Sequence, residues 1–309
     1  MAVPLSAKDI ISSSPSDLLV GPSRTTSDNT HNLEFQRTLV HWKKFEEEVR
    51  ASSNDVRWAS YPSALPYGSV AANQHQVIPS EPEVWRCGDA NSVSHRIGLI
   101  TGQAFRTLQI PIWFGDYKAY RLTSSAKTPD IVMTDEEGNL AALGEIKSPW
   151  ILILRDATGE GQEGYRHCLG LLGKYMHIHQ VKYAFLTTYN ETIFCKQDLP
   201  PTKSQRKRPG RGQELALWYS DVIQHNGASQ LVFLRECFLF LGIQVRDGDY
   251  KFENIMRLRN WVNARTGSYP DHENLSPDDT SAYAERRQQG REPRATDRFT
   301  ISQARNALG

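Results

Sequence analysis

The sequence predicts an α/β domain in which a central mixed β-sheet is flanked by helices, with disordered tails on either side. Three observations carry this expectation. Segments 129–154 and 181–197 read as β-hairpins, apolar on one or both faces around turn residues. Helical periodicities lie before, between and after them. Finally, residues 1–30 and 263–309 are rich in Ser, Thr, Pro, Gly and mixed charge with few apolar positions, which leaves the ordered domain over 31–262.

Taken in order, residues 33–50 (LEFQRTLVHWKKFEEEVR) place Phe35, Leu39, Trp42, Phe45 and Val49 on one helical stripe. Residues 51–80 carry three prolines and no sustained period, so they read as irregular. A helix is expected near 91–106, followed by an extended stretch over 108–117. The first hairpin runs on into Ile151-Leu152-Ile153-Leu154. A helix over 161–179 repeats Tyr165, Cys168, Leu169, Leu172 and Met176 at steps of three and four. The second hairpin turns at Tyr189-Asn190-Glu191. A basic loop, Lys203 to Gly212, precedes a segment at 231–243 that is apolar on nearly every side and so reads as a buried helix. An amphipathic helix over 252–262 closes the domain, and a short helix is expected near 299–308 within the tail.

Composition removes several function classes. Thirty-six Lys+Arg stand against 35 Asp+Glu, so the net charge is +1 and any phosphate-binding surface must be a local patch. Four cysteines, at 87, 168, 195 and 237, form no CxxC pair and are too sparse for a disulfide scaffold, which fits a reducing compartment. No run approaches the ~18 apolar residues of a membrane span. The N-terminus has no uninterrupted apolar core and carries Asp9 and Asp17, unlike a signal peptide. An intracellular protein of nucleus or cytoplasm, without a membrane partner, is the expectation.

The chemistry is concentrated in the first hairpin, Thr128-Pro129-Asp130 to Glu145-Ile146-Lys147-Ser148-Pro149-Trp150. A turn centred on Glu137-Gly138 makes cross-strand partners sum to 275, which sets Asp130 opposite Glu145. Side chains alternate along a strand, so Asp130, Val132 and Thr134 share a face with Leu143, Glu145 and Lys147. Directly opposed carboxylates, with Cβ atoms about 5 Å apart, destabilise a strand pair. A divalent cation removes that penalty, because hard oxygen donors suit Mg²⁺. Lys147 points to the same side, where an ammonium can hold a water or stabilise the charge of a pentacovalent phosphate.

Pro129-Asp130, then Glu145-x-Lys147 after fourteen intervening residues, resembles the signature of the PD-(D/E)XK nuclease superfamily. The order EIKSPW, LLGKYM, YAFLTTYNETIFCK and LRECFLFL is similar to that of a group of fungal proteins assigned to that superfamily, over roughly residues 80–245. The resemblance implies a restriction-endonuclease-like fold. It also implies one or two Mg²⁺ (or Mn²⁺) ions held by Asp130 and Glu145, and hydrolysis of nucleic-acid phosphodiesters by metal-activated water. Members often add a glutamate from an earlier helix. Glu83, in Ser80-Glu-Pro-Glu83-Val-Trp85, is the favoured counterpart, and Glu46 is the other candidate. Glu83 reads equally as the third residue of a capping box begun by Ser80.

The helix after the hairpin offers Gln162, Tyr165, Lys174 and Tyr175 to the site, but the position where relatives carry Gln is Gly170. That departure bears on catalysis rather than fold. The basic loop reads as a solvated connection, a phosphate contact or a nuclear localisation patch. His177 and His179 diverge on a helix and, with Cys168, do not make a zinc site. Two other readings stand beside the nuclease: a catalytically inactive interaction or regulatory protein on the same fold, and an accessory protein of a small-molecule pathway.

Overall fold

The computed structural model describes residues 6–26, 31–61, 86–120, 128–159, 161–201, 215–226 and 231–264. Chain order runs α1 (Ala7–Ile11), β1 (Leu19–Val20), β2 (Leu33–Phe35), β3 (Thr38–His41), α2 (Phe45–Asp55), β4 (Arg86–Cys87), α3 (Ala90–Thr107) and β5 (Trp113–Gly115). The central hairpin follows as β6 (Ile131–Thr134) and β7 (Leu140–Ile146), and then α4 (Leu154–Thr158), α5 (Gln162–Cys168) and α6 (Gly170–His179). The remainder is β8 (Tyr183–Thr187), β9 (Glu191–Asp198), β10 (Ala216–Tyr219), β11 (Ile223–Gln224), α7 (Leu234–Arg246), α8 (Leu258–Trp261) and β12 (Val262–Ala264).

Among the described residues, eight strands form one mixed sheet in the order β3-β10-β9-β8-β7-β6-β5, with β11 attached to β9. The β7–β8 and β10–β3 pairs are parallel and the other neighbours antiparallel. Strand β7 is buried at every position and lies between β6 and β8. It therefore needs apolar side chains on both faces, as its LAALGEI sequence supplies at every position except Gly144 and Glu145.

One face of the sheet packs on α2, α3 and α7. Phe185 and Phe194 meet Phe238 of α7 edge-on, with ring centroids 4.9 and 5.2 Å apart. Ile131, Met133, Ala142 and Ile146 belong to the same buried cluster. Gly144 sits where a Cβ would lie 2.4 Å from the Phe185 ring and 2.6 Å from Ile131, so no side chain fits between the strands there. The opposite face is covered by α6. Behind α6 lies the antiparallel β2–β12 pair, in which Val262 faces Phe35, and the Phe35 ring meets Trp261 edge-on at 4.8 Å.

The predicted hairpin register holds for Ile131–Gly144, Val132–Leu143 and Met133–Ala142, and slips by one at Thr134–Leu140 through a bulge. Gly138 takes φ +77° in the turn, and the Asp135 carboxylate receives the Asn139 backbone N–H at 2.7 Å.

Four expectations are corrected. The stripe over 33–50 is two strands and a helix: Phe35 and Leu39 lie on β2 and β3, and only Phe45 onward is helical. All five of its apolar residues are buried, yet the partners of β2 and β3 are β12 and β10, far along the chain. The helix over 161–179 breaks at Leu169, because the α6 N-terminus abuts the β2 backbone. Residues 252–262 are helical only at α8. Finally, residues 6–26, expected as part of a disordered leader, carry α1 and β1. Their serines are bonded to the domain: Ser12 to Glu236 (3.1 Å), Ser14 to the Asn226 carbonyl (2.8 Å), and the Ser13 hydroxyl to Arg235 (3.1 Å).

No helix among the described residues is long and apolar enough to cross a membrane. They all fall within one unit, Met1–Tyr269. The second unit, Pro270–Gly309, lies outside them, as do the basic loop at 203–212 and Glu83.

Candidate functional site

The face of the central hairpin toward α6 gathers the predicted residues. Asp130 immediately precedes β6, and the register of Ile131 with Gly144 continues back to set it against Glu145. It is exposed, and its Oδ2 accepts the backbone N–H of Ile146 at 2.8 Å. That bond draws the carboxylate across the pair, onto the strand that carries Glu145.

Glu145 is buried on β7, and the Lys147 Nζ stands 3.2 Å from its Oε1; the two side chains are 8% and 11% exposed. Lys147 is fixed from behind, since its backbone N–H donates to the Thr187 carbonyl at 2.9 Å and extends the β7–β8 ladder past the end of the strand. The Glu145–Lys147 pair is thus buried, whereas Asp130 lies on the solvent side.

Tyr175 of α6 completes this wall. Burial, together with the charges of Glu145 and Asp130, pushes its phenol well above the ordinary tyrosine range, which places it within electrostatic reach of both acids. Of the other helical candidates, Lys174 is buried in the same helix. Tyr165 instead packs on Tyr219 of β10 with centroids 4.1 Å apart, three strands from β7. Gln162 is exposed at the start of α5.

Gly170 does not face the site. A Cβ there would lie 2.2 Å from the Leu33 carbonyl oxygen and 2.9 Å from the Glu34 nitrogen. A glutamine could not occupy this position while β2 packs against α6.

Glu46 is not part of the cluster. It lies on α2, on the other side of the sheet, where its Oε2 accepts the Leu231 N–H at 3.3 Å. Glu83 falls outside the described residues. Among the described residues, no group of three or more His, Cys, Asp and Glu is gathered for a metal ion. The His177 Nε2 is occupied by the Met256 carbonyl at 2.6 Å, and burial raises the Cys168 thiol to about 11. Neither serves as a metal ligand in this arrangement.

One functional support escaped the sequence reading. Glu191, at the start of β9, is buried, and its Oε2 accepts the backbone N–H groups of Leu154 (2.6 Å) and Arg155 (3.2 Å). It thereby ties the start of α4, a few residues past Lys147, to the β8–β9 turn, and the Arg155 guanidinium closes on the same carboxylate. The available signal was a carboxylate at the tip of an otherwise apolar hairpin.

Two carboxylates suit Mg²⁺ or Mn²⁺, which bind through one or two acidic side chains and retain several waters. Asp130 and Glu145 supply that donor set. Comparison with family models, curated proteins and solved structures gave no significant match.

Proposed function

We propose that this protein is a metal-dependent nuclease, or a nuclease-like protein, that hydrolyses nucleic-acid phosphodiesters on a restriction-endonuclease-like fold. The observation that carries the reading is the cluster on the central hairpin: Asp130 and Glu145 on one face, with the Lys147 ammonium 3.2 Å from Glu145. This is the chemistry expected of the PD-(D/E)XK pattern.

Asp130 and Glu145 are the residues that would hold Mg²⁺ or Mn²⁺. Bound there, the cation would offset the two carboxylates and acidify a water for attack. Lys147 keeps its ammonium beside that position through its locked backbone and its pair with Glu145. It orients the attacking water or meets the charge that builds on the phosphoryl oxygens. Tyr175 flanks the site on the α6 side, within electrostatic reach of both acids. The free thiols of all four cysteines support an intracellular setting, nucleus or cytoplasm.

Purified protein is expected to cut nucleic acid with Mg²⁺ or Mn²⁺, to stop with chelator, and to lose activity in Asp130→Ala and Lys147→Ala. Cleavage that survives both substitutions would refute the assignment. A second reading, a non-catalytic descendant that recruits partners, draws on the two-acid donor set found among the described residues. Titration calorimetry separates the two, because a vestigial site gives no Mn²⁺ heat that depends on Asp130 and Glu145.

A further inference from the structure

Glu191 and Arg155 stand on the same face of the sheet as the candidate site. Pairing runs across three strands: Glu145 faces Leu186 in the parallel β7–β8 pair, and Leu186 faces Ile193 in the antiparallel β8–β9 pair. Two residues further along β7, Lys147 donates its backbone N–H to the Thr187 carbonyl, and Thr188 donates to the Glu191 carbonyl, both at 2.9 Å. Lys147, Thr188 and Glu191 thus form one row, and partners across a row share a face. Two strand spacings of about 4.8 Å put the Glu191 backbone about 10 Å from that of Lys147. The row lies at the C-terminal ends of the parallel β7–β8 pair, where α/β sheets open their ligand crevices.

At the end of that row, the Arg155 guanidinium is held by one edge. Its Nε donates to Glu191 Oε1, while Glu191 Oε2 receives the backbone N–H groups of Leu154 and Arg155. Both oxygens of a buried carboxylate are therefore committed to fixing this arginine and the turn that carries it. The charge of Glu191 is shared with two backbone donors rather than spent on Arg155 alone. The Arg155 side chain remains 60% exposed, and among the described residues its two terminal nitrogens make no hydrogen bond. A guanidinium anchored through Nε loses little freedom on meeting an anion, and its outer fork matches the oxygens of a phosphate. The overall charge of +1 gives no general attraction for nucleic acid, so local groups of this kind must supply it.

We propose that Arg155 clamps a backbone phosphate of the nucleic acid that is cut at Asp130, Glu145 and Lys147. Asp130 lies on the β6 side of β7 and Arg155 beyond β8, so a strand crossing the ends of these elements meets the acids, Lys147 and then the guanidinium. At about 3.4 Å of rise per nucleotide, the clamped phosphate falls within about three nucleotides of the cut. The proposal rests on reading the cluster as a phosphodiesterase, but it concerns binding and is measured without cleavage.

The test is fluorescence anisotropy on the full chain in EDTA, over a salt series, with labelled duplex DNA, duplex RNA and the corresponding single strands. Arg155→Ala is expected to flatten the log–log salt dependence by about 0.9 on duplex DNA or about 0.7 on a single strand. Arg155→Lys keeps the charge but not the fork, so the slope is expected to hold while affinity falls severalfold. Arg246 is the control: it is 49% exposed and likewise pairs with a carboxylate, Asp247, but it ends α7 on the other side of the sheet. Arg246→Ala is expected to change neither slope nor affinity. Urea midpoints separate lost binding from lost folding, and should Arg155→Ala unfold, Arg155→Gln makes the same comparison. No binding by any of the four probes, or the parent slope in a folded Arg155 variant without the charge, would overturn the clamp even if Mg²⁺-dependent cleavage were found. The expected loss of slope in a protein that never cleaves would keep the clamp and remove the nuclease reading instead.

Discussion

Gly170 offers a direct test of how the helix carrying Tyr175 is seated. A Cβ added there would meet only backbone: the Leu33 carbonyl oxygen at 2.2 Å, its carbon at 2.5 Å and the Glu34 nitrogen at 2.9 Å. Backbone cannot swing aside as a side chain can, and β2 is itself paired to β12. Overpacking costs about 1–3 kcal/mol, and a backbone clash belongs at the upper end. Replacing glycine by alanine in a helix returns at most about 1 kcal/mol. The net expectation for Gly170→Ala is therefore a loss of about 2 kcal/mol. With a urea m-value of about 2 kcal/mol/M, the unfolding midpoint falls by about 1 M. Gly102, inside α3, is the control, because an added Cβ there has nothing within 4 Å. Gly102→Ala is expected to raise the midpoint by a few tenths of a molar unit. Urea titration followed by circular dichroism measures both. If Gly170→Ala proves as stable as the parent, β2 does not rest on the α6 N-terminus, and this packing account is wrong.

Other outcomes follow from the same geometry. Glu191→Ala removes the acceptor for two backbone N–H groups at the start of α4 and is expected to cost about 1–2 kcal/mol, with Glu191→Gln costing less; urea midpoints decide. Burial works to raise the Asp135 and Asp249 carboxyls, but hydrogen bonds from Asn139 and Tyr250, and from Lys182 and Tyr183, prevail and hold both below the ordinary value. Their folded values lie under their unfolded ones, so the stability they add is complete above pH ~4 and fades as pH falls through the folded values. Thermal melts are expected to drop below pH 4, with a shallower drop there in Asp249→Asn, while the buried His177 and His179, held below the ordinary histidine value, already lower stability as pH falls through about 6.5. All four thiols are raised chiefly by burial, Cys168 to about 11, so iodoacetamide at pH 8 is expected to label none of them until the chain unfolds, as intact mass would record.

What the sequence disclosed depended on whether the governing contacts were local. The 131–146 hairpin was legible because its register is set by a short turn around Gly138 and by an apolar pattern contained in one segment. That same register puts Asp130 and Glu145 on one face. The helix at 234–246 was legible because it is apolar almost all round and buried along most of its length. By contrast, Thr38–His41 pairs with Ala216–Tyr219, and Leu33–Phe35 with Val262–Ala264, so neither strand announces itself in its own neighbourhood. Their spacing at three, four and seven positions imitated a helix while only their burial was read correctly. Residues 12–16, SSSPS, looked like a solvated leader because their hydrogen bonds to distant residues, and the burial of Ile11 beside them, leave no local pattern. The contribution of Tyr175 depended on which way α6 rolls, and that is set by Gly170 against β2.

The attachment of those serines has a temporal consequence. Ser12 meets Glu236, Ser13 meets Arg235 and Asp17 meets His225, contacts that join positions more than 200 apart in the chain. During synthesis, the first of these residues leave the ribosome long before their partners exist. The sheet can assemble from β6 to β9 while the N-terminal segment waits for residues 225–236, and the β2–β12 pair waits longer still, for Val262–Ala264. The pairing of Leu19 and Val20 with Arg86 and Cys87 is secured at its N-terminal end only once the 225–236 region has been made. A nascent chain would thus carry its acidic cluster before its N-terminal segment is anchored.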